Sequence, residues 1–142
     1  MGKQNYYLIT GGVISGLISI LHVILAFNPG FYQYIVIAQL PEQSFTLISI
    51  ATALLALVFA IWAIYAFSGA GLIGRLPMLR KALIAIGVIY ILRSLFLFTE
   101  INLVLTQGYP FRFTIFSTIS LVTGLLYLIG ILKQRASFTP SG

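Results

Sequence analysis

Residues 87–101 read "GVIYILRSLFLFTEI", and all but Arg93 and Glu100 are uncharged and largely apolar. Extended in both directions, the stretch becomes an apolar run from Ala82 to about Leu105. That length suits a helix crossing the hydrocarbon layer, which takes about 20 mainly apolar residues. Three more runs qualify: Tyr6 to Phe27, Phe45 to Phe67, and Phe111 to Leu132. Turn residues separate them. Asn28-Pro29-Gly30 closes the first, Pro41 precedes the second, Gly69 to Pro77 form the middle loop, and Gly108-Tyr109-Pro110 make the last turn.

Composition agrees. The 142 residues are 60% hydrophobic and 7% charged, with a mean hydropathy of +1.08, whereas a soluble chain is about 25% charged. The expected fold is an all-α membrane protein: one four-transmembrane-helix bundle over residues 1–136, with a disordered tail at 137–142. The first run is too long for a signal peptide and lacks a small-x-small cleavage site before Asn28, so it is read as an uncleaved anchor.

Basic residues set the expected orientation. Lys3, then Arg75, Arg80 and Lys81, then Lys133 and Arg135 fall on one side of a four-span chain, and the opposite loops hold only Arg112. Lys and Arg are retained in the cytoplasm, which predicts cytoplasmic N- and C-termini. Tyr6, Tyr7, Trp62 and Tyr65 then lie near the cytoplasmic interface. Phe31, Tyr32, Tyr34, Tyr109 and Phe111 lie near the outer one, where amphipathic rings prefer to sit. "FYQYIVIAQLP" is too short to cross and is placed on the outer face. The same topology accounts for the net charge of +6, and no soluble basic domain exists to hold nucleic acid. "GAGLIGRLPMLRK" lacks the phosphate-loop spacing and a preceding strand; it reads as a turn whose basic residues face anionic lipid.

With no cysteine, one histidine and two acidic residues, disulfides, thiolate catalysis and most metal or paired-carboxylate chemistry have no material. No cofactor, metal or catalytic residue is assigned.

Lipid supplies no hydrophobic drive between helices, so small residues that permit close approach carry the packing. Gly12-x-x-x-Gly16 with Gly11, Ser15 and Ser19, then Ala53, Ala56, Ala60 and Ala63, and Ser120-x-x-x-Gly124 form such stripes. They predict a tight bundle, or on one face a homodimer. The halves show no repeat of the kind found in inverted-repeat transporters.

Arg93 remains to be explained. Its insertion cost of about 2.5–3.5 kcal/mol is outweighed by its apolar neighbours, so insertion permits the residue without giving it a purpose. Arg93 and Glu100 share a helical face, but seven residues of continuous helix separate their Cα atoms by about 10 Å. Side chains also lean toward the helix N-terminus, so no direct bridge is expected within the helix. His22, Thr46, Ser49, Thr114, Ser117 and Thr118 all fall in the outer half with this pair, while the inner halves look almost wholly apolar.

If those faces converge, they form an outward-opening polar pocket with a cationic floor, suited to an anionic head group, carboxylate or phosphate. Arg93 binds the anion, His22 and Glu100 orient it, and Ser49, Ser117 and Thr118 supply hydroxyls. The plainer alternative is that the hydroxyls bond their own helices, His22 bonds between helices, and Arg93 pins the bundle or pairs with a neighbouring protomer. Glu42 and Arg112 are expected to be solvated.

The run from Tyr65 to Arg93, "YAFSGAGLIGRLPMLRKALIAIGVIYILR", resembles a family of small four-helix bacterial inner-membrane proteins that carries no known activity. The resemblance implies topology and a bacterial inner-membrane location. Small multidrug transporters have a glutamate in the first span, which is absent here. "GGVISG" and "FSTIS" are faintly similar to fluoride channels, whose first-span arginine and second-span asparagine are missing.

The expected function is therefore a non-catalytic inner-membrane protein. It binds a protein partner or an anionic, lipid-like ligand around Arg93. The alternative is a small oligomeric anion channel or transporter. A head-group enzyme would need His22 as acid–base within reach of Glu100.

Overall fold

The computed structural model describes residues 4–36 and 44–137. Lys3, Pro41, Glu42 and residues 138–142 lie outside the described residues. The elements are α1 (Tyr6–Phe27), α2 (Pro29–Val36), α3 (Phe45–Gly69), α4 (Leu79–Ser94), α5 (Phe96–Gln107) and α6 (Arg112–Ser137). Among the described residues every regular element is a helix. Four stretches are long and apolar enough to cross a membrane: α1, α3, α4 with α5 as a 29-residue span, and α6. Their length and composition suit a multi-pass membrane protein.

Local chemistry fixes the boundaries. Asn5 caps α1, its side chain accepting from the Leu8 N–H while its Nδ2 donates to Gly130 O at 2.7 Å. Gly108 ends α5 with φ of 65°, a left-handed conformation that suits a residue without Cβ. The third span, expected as one helix, breaks at Leu95.

The spans pair as two hairpins, α1 with α3 and α4–α5 with α6, and α1 also packs on α6. Close approach depends on small residues. A Cβ on Gly12 would lie 2.8 Å from the Phe67 ring, and one on Gly124 would lie 3.0 Å from the Gly87 carbonyl oxygen. The predicted Gly12/Gly16 stripe is only half used, since a Cβ on Gly16 would meet nothing within 4 Å. Of the alanine stripe, Ala56 and Ala63 are buried while Ala53 is exposed.

The terminal end carries the start of α1, the end of α6 and the α3–α4 loop; the hairpin end carries α2 and the α5–α6 turn. Among the described residues, the hydrogen bonds joining the two hairpins lie from mid-span to the terminal end. At their centre Ser15 Oγ bonds the hydroxyls of Tyr90 and Tyr127, each at 2.9 Å, and Tyr127 donates to Trp62 O at 3.1 Å. A carbonyl only accepts, so the direction is forced: Tyr90 donates to Ser15, Ser15 to Tyr127, and Tyr127 to Trp62 O. One relay therefore crosses α4, α1, α6 and α3. The expectation of an almost wholly apolar inner half is corrected here. The hydroxyls sit within the seam, where they are bonded rather than facing lipid.

Candidate ligand-binding site at the break in the third span

The break begins with Ser94, whose Oγ donates to Ile91 O at 2.6 Å. Serine bonding back to its own helix competes with the backbone ladder and bends helices. The Leu95 N–H then bonds Leu92 O, three residues back, at 3.2 Å, a tightened turn between α4 and α5.

The break changes what Arg93 reaches. Its Nη1 lies 3.8 Å from Glu100 Oε1 and donates to Ser117 Oγ at 3.5 Å, while Ser117 donates to Glu100 Oε2 at 2.5 Å. The expectation of no direct bridge is thereby overturned. It assumed a continuous helix and a side chain leaning toward the N-terminus, whereas the guanidinium extends past the break toward the hairpin end. Ser117, fully buried on α6, holds the two charges in register. Arg93–Glu100 is the one ion pair among the described residues.

The pair is asymmetric. Glu100 is 16% exposed and Arg93 47% exposed. Both bonds from the guanidinium use Nη1, and among the described residues Nε and Nη2 have no partner. Arginine presents five donors in a fixed fork, so most of this fork faces outward beside exposed Ile89, Leu92 and Phe96. On the same side of α6, three residues toward the hairpin end, Thr114 is 8% exposed and its buried Oγ1 has no partner.

The other expected residues are placed elsewhere. His22 Nδ1 bonds Ile18 O at 2.8 Å, so the proton is on Nδ1, and its ring packs 4.9 Å from that of Phe59 on α3. Ser49 is half-buried near the start of α3, and α3 packs on α1 and α4 rather than on α5. Thr118 is exposed and donates to Thr114 O on its own helix at 2.8 Å. The structure thus joins Arg93, Glu100 and Ser117, adds Thr114, and leaves His22, Ser49 and Thr118 apart from them. The signal for the join was the serine at the break, which carries no glycine or proline to mark it.

Arg112, expected to be solvated, is corrected. Its guanidinium carbon stands 4.6 Å over the Tyr34 ring of α2 and 5.9 Å from that of Phe113, with its Nε buried. This cation–π contact ties α2 to α6 at the hairpin end. Arg75, Arg80 and Lys81 are exposed at the terminal end and line a shallow depression with Leu76, Met78 and Leu79. Among the described residues no cluster of three His, Cys, Asp or Glu side chains is placed to hold a metal.

No protein-family model, curated protein or solved structure matches this chain. A guanidinium lies beside a carboxylate, one oxygen of which accepts from the Ser117 hydroxyl.

Proposed function

We propose that the chain is a non-catalytic binding protein of the bacterial inner membrane, with both termini in the cytoplasm. It captures a protein partner or an anionic, lipid-like ligand at Arg93. The observation that carries this reading is the half-exposed guanidinium with Nε and Nη2 unpartnered inside an apolar span. An ionisable side chain within a span is costly, and such residues usually face a partner, a cavity or a ligand. Orientation rests on the basic residues Arg75, Arg80, Lys81 and Lys133 at the terminal end, against Arg112 at the hairpin end. The outward-facing part is then the hairpin end, toward which Arg93 extends.

The channel reading has less support. An ion path along the bundle axis would have to part Ser15, Tyr90 and Tyr127, and Ser15 and Tyr127 are fully buried.

Native mass spectrometry of gently extracted protein tests the proposal. The wild type carries a bound ligand or partner. Arg93→Leu inserts equally well, because leucine lowers the insertion cost, and loses that mass. Equal retention by the variant contradicts the proposal.

A further inference from the structure

The charge balance of the site narrows its ligand. Arg93 and Glu100 together are neutral, and both have capacity left. Among the described residues the guanidinium has Nε and Nη2 free, while Glu100 Oε1 receives only the 3.8 Å contact. A donor fork and an acceptor oxygen therefore lie side by side. A purely anionic group would satisfy the fork but leave the locality with a net negative charge in a low-dielectric setting, where unpaired charge is expensive. A group carrying both an anion and a hydrogen-bonding cation satisfies both.

Depth points to where such a group comes from. The third span, Leu79–Gln107, is 29 residues, about 43 Å of helix, against a hydrocarbon layer of about 30 Å. Glu100 stands seven residues from the Gln107 end, about 10 Å, and Ser117 stands five from Arg112, about 8 Å. Centred on that layer, the span puts Glu100 a few ångströms inside the hydrocarbon boundary, with the Arg93 guanidinium extending toward it, within reach of a lipid head group. Ile89, Leu92, Leu95 and Phe96 flank Arg93 and are each about half exposed, an apolar bed for an acyl chain.

Resting on the binding role proposed above, we infer that the ligand is a zwitterionic phospholipid with a primary ammonium. Its phosphate sits on Nε and Nη2 of Arg93, and its ammonium donates to Glu100 Oε1. A trimethylated head group lacks that donor and binds less well.

The test uses the full chain in bilayers holding equal amounts of phosphatidylethanolamine, phosphatidylcholine and phosphatidylglycerol, with retained lipid read by native mass spectrometry. The wild type retains phosphatidylethanolamine over both others. Glu100→Gln, nearly isosteric, gives the locality a net positive charge and reverses the order in favour of phosphatidylglycerol. Arg93→Leu retains none selectively. Wild-type preference for phosphatidylglycerol or phosphatidylcholine, lost in Arg93→Leu, overturns the zwitterion inference while leaving the binding role standing. Displacement of the lipid by soluble glycerophosphoethanolamine at equal concentration overturns the lipid source. A dimer that Arg93→Leu dissociates, with no lipid retained, overturns the lipid as occupant. Identical retention by wild type and Arg93→Leu overturns the binding role itself.

Discussion

Ser117 carries more than its size suggests. Its hydroxyl accepts from Arg93 and donates to Glu100, so Ser117→Ala leaves a part-buried carboxylate without its closest donor. Losing a hydrogen bond to a charged group costs about 1.5–3 kcal/mol, and thermal unfolding in mild detergent should fall accordingly. Thr118→Ala, one residue on, removes only the bond of an exposed residue to its own helix and should stay within about 0.5 kcal/mol of wild type. The two hydroxyls look alike in sequence; only the facing of α6 separates them. Arg93, Glu100 and Ser117 were recognisable as candidates because charge and hydroxyl are conspicuous in apolar runs. Their contact was not, because it depends on a backbone break that Ser94 makes without glycine or proline.

At the scale of elements, the spans were legible and their facings were not. Run length and turn residues locate a helix to within a few residues, but spacing alone does not say which small residue meets a neighbour. Gly16 and Gly124 separate the cases. A Cβ at Gly16 meets open space, whereas one at Gly124 meets backbone oxygen and Ile91. Gly16→Ala should raise helix stability by about 0.5–1 kcal/mol, the usual entropic difference. Gly124→Ala pushes α4 from α6 and should cost about 1–3 kcal/mol as overpacking. Unfolding midpoints of the two variants moving in opposite directions check this. Movement in the same direction would contradict the hairpin packing.

The molecule as a whole is two hairpins seamed from mid-span to the terminal end, with Ser15 linking hydroxyls from the other hairpin to α1. Ser15→Ala strands the Tyr90 hydroxyl, while that of Tyr127 keeps its bond to Trp62 O. A single interhelical bond in a membrane protein averages about 0.6 kcal/mol, but leaving buried groups unpaired costs about 1–3 kcal/mol. The larger figure is expected, with faster amide exchange in α1 and α6 together. The sequence showed four long apolar runs and a charge bias, both sums over many residues. It hid the relay because Tyr90 and Tyr127 look like ordinary apolar filling until their hydroxyls are seen to meet.

The most direct measurement is solid-state carbon–phosphorus dipolar dephasing at the Arg93 Cζ in native-like bilayers, assigned by difference from Arg93→Lys. A guanidinium bonded to a phosphate places carbon and phosphorus about 4 Å apart, so that signal should dephase strongly. An Arg93 Cζ that phosphorus leaves undephased, while Arg75 and Arg80 respond, would contradict capture of a head group at the break in the third span.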